Sequence, residues 1–287
     1  MLGKLIKHEF KFTYKTMLVI YIMAIVSTLG YIFFVAERFS YSSSGPSRNE
    51  TLAQIQNVLA VTFAFAYVII VISLTILTYI LMCERFYKSM YSEQGYLTHT
   101  LPVSPLSNLN ARLITSIIWL LVSGIILTLS ILAISSAESP YYFSDLLRSL
   151  KYSELDSAAM YAFGWHLPVL LLMLLLLILA ACANALLLVF AALSLGQLAN
   201  LHKIRAAIGF GVALGFLEQI IVTMIMVHVP ELFSITVNVN MPYEEIRMLV
   251  RRSSRGSLLL MIGIFAVFAA LYYAICAVIV KKRVNLE

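Results

Sequence analysis

Long uncharged runs alternate with short polar stretches along the whole chain. Six runs stand out, at 17–36, 58–83, 113–137, 167–200, 206–229 and 257–280. Each meets or exceeds the ~20 residues a helix needs to cross the hydrocarbon core of a bilayer. The pattern predicts an all-α membrane protein with six transmembrane helices. No connection exceeds about 30 residues, too short for an inserted soluble domain of ~100, so the expectation is a single transmembrane domain over 1–287. The fourth run would make a helix of roughly 50 Å, longer than the core. It must tilt, project, or break near Ser194, Leu195, Gly196 and Gln197.

The polar stretches carry their own patterns. Over 1–15, a helical projection gathers Lys4, Lys7, Lys11, Lys15 and His8 on one arc and Leu2, Leu5, Ile6, Phe10 and Phe12 on the other. That predicts an interfacial elbow helix whose basic arc meets anionic headgroups. Glu9 interrupts the apolar arc. It either reaches water at the helix edge or pairs with a basic residue such as Arg85. Ser144 can cap a short outer helix beginning at Asp145, with Trp165 and the tyrosines as interface anchors and His166 as an interfacial neighbour rather than a metal ligand. Pro242 can open another short helix before the sixth span, with Glu244 and Glu245 in its first turn and Arg251 and Arg252 in its last.

Composition agrees with the pattern. Hydrophobic residues make up 61% and charged residues 12%, against roughly 25% charged in soluble domains. Mean hydropathy is +0.93. The first run is too long for a signal-peptide core and lacks a convincing cleavage site after it, so it is expected to remain in the mature protein. With both termini cytoplasmic, 12 of the 20 basic residues fall on the inner side, as the positive-inside rule requires. Arg247 to Arg255 is the exception, a basic cluster on the outer side. Cys83, Cys182 and Cys276 show no metal-ligand spacing and read as small packing residues.

Within the six runs the only charged residue is Glu218. Ala207, Gly211 and Gly215 recur every four residues before it, a small-residue ridge that lets another helix approach closely. Glu218 lies on the same face, and Asn184, halfway along the fourth run, is a possible partner. An intramembrane carboxyl faces protein or a cavity rather than lipid, so Glu218 is either a gating or pathway residue or a buried packing residue.

Catalytic motifs are missing from the sequence. There is no G-x-x-x-x-G-K-[ST] phosphate loop, no zincin pair after His8 and Glu9, and no G-x-S-x-G elbow. No enzymatic activity and no bound cofactor are expected. The positive charge follows the boundaries of the spans, which reads as topology rather than nucleic-acid binding.

The stretch from Glu84 to Arg112 is long, polar and turn-rich, and it falls on the cytoplasmic side. Phe86 to Ser92 can form a short helix, Gly95 permits a turn, and Pro102 and Pro105 close an extended run. Such a projection would display Tyr91, Tyr96, Leu97 and Leu101, aromatic and aliphatic groups of the kind found at interface cores.

Three segments carry a resemblance to a known family: KLIKHEFKFTYK at 4–15, RFYKSMYSEQGYLTHTLPVS at 85–104 and SLGQLANLHKIRAAIGF at 194–210. In order and separation the chain resembles permease subunits of bacterial ABC transporters of the type-2 exporter (ABC-2) class. The resemblance implies an elbow helix that includes Lys4, Lys7, Glu9 and Lys11. It also implies a coupling helix after the second span, short outer helices before the sixth, and a location in the bacterial plasma membrane. Two separate ATP-binding subunits holding ATP and Mg, and a second copy or a related permease, would be its partners. Tyr91, Glu93, Gly95, Tyr96, Leu97 and Leu101 would then carry the ATPase contact, and a peptide or other amphipathic substrate fits the family's range. The rival reading is a non-transporting scaffold or sensor whose cytoplasmic loop binds a soluble partner. A secondary transporter or channel is disfavoured by the single intramembrane charge and the lack of a detectable internal repeat.

Overall fold

The computed structural model describes residues 2–42, 50–92, 104–138, 151–199, 202–230 and 241–282. Seven helices form among them: α1 (Leu2–Ser42), α2 (Glu50–Tyr91), α3 (Pro105–Glu138), α4 (Tyr152–Ala162), α5 (Leu167–Gly196), α6 (Lys203–His228) and α7 (Tyr243–Lys282). All but α4 are long and apolar enough to cross a membrane, which gives the six expected spans. The chain is an all-α, multi-pass membrane protein.

Three short elements expected from the sequence are instead parts of long helices. The elbow over 1–15 is the first turns of α1, the short helix over 86–92 is the end of α2, and the short helix after Pro242 opens α7. The common reason is the absence of a breaker. A change from polar to apolar side chains leaves the backbone hydrogen-bond ladder intact, and a single glycine such as Gly256 costs only ~1 kcal/mol relative to alanine. Pro105 likewise begins a helix rather than closing an extended run. It occupies the first position of α3, where its missing amide donor is harmless. Ser104 precedes it, with its carbonyl accepting from the amides of Ser107 and Asn108 at 2.9 and 3.3 Å. The part of the expected outer helix around Ser144 and Asp145 lies outside the described residues; α4 covers its second half.

The residues divide into two compact units. The first comprises Gly3–Met82 with Ile114–Ser149, and the second Cys83–Leu113 with Leu150–Glu287. In the first unit the helices turn their polar stripes inward. On α1 the buried positions are Glu9, Thr13, Met17, Tyr21, Ala24 and Thr28, spaced by three and four, while Leu18, Val19, Ile22, Val26 and Leu29 are exposed. The Tyr21 hydroxyl donates to the Trp119 carbonyl at 3.2 Å and shares a 2.9 Å hydrogen bond with Ser123. Ser123 also meets Thr78 at 3.2 Å, Thr28 donates to Ser130 at 3.2 Å, and the Trp119 indole donates to Thr13 at 3.0 Å. Bonds of this kind between membrane helices average about 0.6 kcal/mol each, and they set register because the alternative is an unsatisfied polar group in hydrocarbon. Glu9 belongs to this inward stripe, only 6% exposed, so it does not reach water at the helix edge.

In the second unit α5 packs against both α6 and α7. The fourth apolar run resolves its excess length by breaking where Gly196 allows it. The amides of Gln197, Leu198 and Ala199 turn back to the carbonyls of Ser194, Leu195 and Gly196. A Cβ on Gly196 would lie 2.5 Å from the Ala207 Cβ and 2.7 Å from its Cα, so only glycine lets α5 end against the start of α6. The ridge expected on α6 packs in part. Ala207 meets Gly196, and Gly211 faces Ala192, but the space around Gly215 is open.

Candidate functional site

The site grows from two ends of the polar connection between α2 and α3. The last two turns of α2 are amphipathic. Glu84 and Lys88 form an exposed i,i+4 ion pair at 2.5 Å, while Phe86 and Met90 are 1% and 0% exposed. Phe86 stacks on Phe190 of α5 with ring centroids 3.9 Å apart and planes 7° apart. Tyr91 donates to Ser194 Oγ at 2.7 Å. Its ring is therefore turned into the protein, an anchor rather than a displayed contact. From the other end, buried Asn108 donates to Met90 Sδ at 3.6 Å and accepts two bonds from Arg112, at 3.1 and 3.0 Å. Asn110 Oδ1 accepts from Tyr273 of α7 at 2.8 Å. Both ends of the connection are thus tied to helices that span the bilayer.

The same core leads inward to Glu218, the one charged residue of the six apolar runs. Ser194 lies 3.8 Å from Cys276 Sγ, and Cys276 sits one turn of α7 from Tyr272. Tyr272 is 2% exposed, and its hydroxyl donates to Glu218 Oε2 at 3.0 Å. Asn184 Nδ2 donates to Glu218 Oε1 at 2.6 Å. Ten residues of α5 separate Asn184 from Ser194, so the carboxyl group lies about 15 Å along the helix from the base of the connection. Asn184 is itself buried, and its Oδ1 has no hydrogen-bond partner among the described residues. One carboxyl held by two donors, with an unused acceptor beside it, is a polar cluster built from α5, α6 and α7.

Beside the end of α2, a cavity of about 340 Å³ is lined by Tyr87, His202, Lys203, Ile204 and Arg205. His202 has a left-handed backbone, φ 59° and ψ 50°, just before α6 begins. At the opposite end of α5, Asp156 of α4 caps the helix in trans. Its Oδ1 accepts from the Leu167 amide at 2.7 Å, and Oδ2 lies 3.2 Å from His166 Nδ1. The Leu167 amide, and then His166, hold the Asp156 carboxyl below its ordinary range. His166 is thus part of a cap, a pairing the sequence did not suggest.

The residues singled out from the sequence are distributed as follows. Asn184 and Glu218 come together. Lys4, Lys7 and Lys11 are exposed on α1 while Glu9 is buried. Tyr91 anchors the base of the connection, and Glu93, Gly95, Tyr96, Leu97 and Leu101 lie outside the described residues. Phe86, Phe190, Ser194, Asn108, Tyr272 and Tyr273 were not anticipated. Among the described residues no group of three or more His, Cys, Asp and Glu could hold a metal ion. Comparison with known protein families, curated proteins and solved structures yields no match.

Proposed function

We propose that this chain is the membrane-spanning permease subunit of an ATP-driven exporter of the type-2 ABC class, one of a pair that moves a peptide or other amphipathic substrate out of the cell. The observation that carries the reading is the double anchorage of the α2–α3 connection. Phe86 and Tyr91 fix one end to α5, and Asn110 fixes the other to α7. A soluble partner that moved this connection would move two spanning helices with it. Those helices hold both residues that donate to the Glu218 carboxyl. The sequence has no phosphate loop of its own, so ATP and Mg belong to separate partner subunits, and this chain transmits work rather than generating it. The basic cavity at Tyr87, His202, Lys203 and Arg205 adds a surface suited to acidic groups of such a partner.

The test is co-purification with an ATP-binding subunit and reconstitution of the pair in vesicles. Tyr96→Ala with Leu101→Asp is expected to abolish capture of the ATPase subunit and substrate export while leaving the permease monodisperse. Full export by that double variant would overturn the assignment. Capture of a soluble partner without ATPase activity would favour the scaffold or sensor reading.

A further inference from the structure

The sequence RMLVRRSSRG begins the sixth span with four arginines, and the helix continues through them without a break. Met248, Arg251, Arg252, Arg255, Gly256 and Leu259 recur every three or four residues, so they share one face of α7. Together they line an open cavity of about 500 Å³, within the range of small-molecule sites. Its chemistry is mixed, three guanidinium groups flanked by the exposed apolar side chains of Met248 and Leu259.

Two of the arginines are held in place before any ligand arrives. Arg255 donates through Nε to the Phe163 carbonyl and through Nη2 to the Gly164 carbonyl at 2.8 Å, and its guanidinium lies 5.4 Å from the centre of the Trp165 ring. A Cβ on Gly164 would fall 2.0 Å from Arg255 Nη2, and Gly164 has φ 62°, so this clamp requires glycine twice over. Arg251 donates to the Tyr161 carbonyl at 3.4 Å. Carbonyls and rings orient a guanidinium without neutralising it. Among the described residues neither Arg251 nor Arg255 meets a carboxylate, and each keeps unused N–H donors.

Depth identifies the anion these charges suit. Measured from Lys281 at 1.5 Å per residue, Leu259 lies about 33 Å along α7, Arg255 about 39 Å and Arg251 about 45 Å. The hydrocarbon core is ~30 Å thick, and ~40–45 Å with its headgroup layers. The arginines therefore sit at headgroup level in the leaflet opposite Lys281, with Leu259 at the edge of the acyl chains. Tyr161 and Trp165, which Arg251 and Arg255 touch, occupy the same level, where aromatic side chains favour the interface.

We propose that this cavity binds the phosphate of an anionic phospholipid in that leaflet, with an acyl chain lying along Leu259. Guanidinium forks match phosphate oxygens in paired hydrogen bonds. The site also accounts for a basic cluster that the positive-inside rule places on the wrong side, because its charge is complemented by lipid. This inference is independent of the transport reading.

The experiment uses the full chain in mixed micelles with a phosphatidylglycerol carrying a photoreactive acyl chain, and reads labelling of the peptide that contains Leu259. Excess phosphatidylglycerol is expected to compete, and phosphatidylcholine to need about tenfold more. Arg251→Gln with Arg252→Gln should cut labelling about tenfold. Exposed Arg252→Gln alone, in a protein that remains monodisperse, should cut it about threefold. Equal competition by phosphatidylcholine, or unchanged labelling in these variants, would show ordinary annular lipid and overturn the proposal. Glycerol phosphate competing as well as the lipid would also overturn it, by showing a site for a free anion.

Discussion

Replacing Phe86 by leucine isolates the contact that ties the end of α2 to α5. Phe86 and Phe190 are 1% and 0% exposed, and their rings lie 3.9 Å apart and nearly parallel. Leucine keeps much of the apolar volume, so the double-mutant cycle Phe86→Leu, Phe190→Leu and both together reports mainly the ring pair. Such pairs contribute about 0.5–1.5 kcal/mol beyond area burial. Alanine would be a poorer probe, since removing a buried Phe costs about 3–5 kcal/mol and could unfold a marginally stable base. Stability is measured for all four proteins by reversible denaturation in mixed micelles, and transport per ATP hydrolysed by the reconstituted complex. A coupling of about 0.5–1.5 kcal/mol corresponds to a two- to tenfold loss of transport per ATP if the stack transmits the stroke. Additive stabilities, within about 0.3 kcal/mol, would refute the energetic argument. A coupled cycle with an unchanged transport ratio would refute the mechanical one.

Two further outcomes follow from the polar groups. Glu218→Gln can accept from Tyr272 and donate to the unused Asn184 Oδ1, so its stability should match or exceed that of the original protein; Tyr272→Phe strips one donor from the carboxyl and should cost about 1–3 kcal/mol. Export lost in a stable Glu218→Gln protein assigns Glu218 a functional role, whereas retained export leaves it a packing residue. At the other end of α5, Asp156 is held below its ordinary range by the Leu167 amide and His166. Its contribution is therefore complete above the unfolded value, about 3.9, and is lost as pH falls through the lower folded value. Amide exchange over 167–170, corrected for intrinsic rate, should show protection falling as the pH drops below 4. Asp156→Asn should remove that pH dependence, and an unchanged profile would sink the capping argument.

The spans were legible because an uncharged run of twenty residues has few alternatives in a folded protein. The Asn184–Glu218 pair was legible for a related reason, since a lone carboxyl among small residues must find a donor. Element boundaries were not, because a helix ends at a backbone event and not where side-chain polarity changes. The break at Gly196 is the exception, offered by the sequence as one outcome for an over-long run, but the close approach of Ala207 that selects it is something no local pattern reveals. The buried faces were equally hidden. In α1 the inward stripe includes Thr13, Tyr21 and Thr28 while Val19 and Leu29 face outward, so seeking the core among the most apolar positions selects the wrong side of the helix. Tyr272 gave no signal at all, being one aromatic among several in the last span, and its role follows only from where α6 places Glu218.

That placement bears on how movement at the base could reach the carboxyl. Cys276 and Tyr272 are one turn apart on a single helix, the first against Ser194 and the second bonded to Glu218. Asn184 and Ser194 are likewise on one helix, so α5 and α7 each contact both the base and the Glu218 cluster. A shift of the two helices together would leave the cluster unchanged, because both of its bonds could follow as a rigid body if α6 came too. Only a relative slide of α5 against α7 would alter it, stretching the Asn184 bond against the Tyr272 bond across a carboxyl that belongs to neither helix. On the transport reading, the useful stroke is therefore a shear between the two helices rather than a common displacement. Glu218, held by both, is the point at which that shear would be felt.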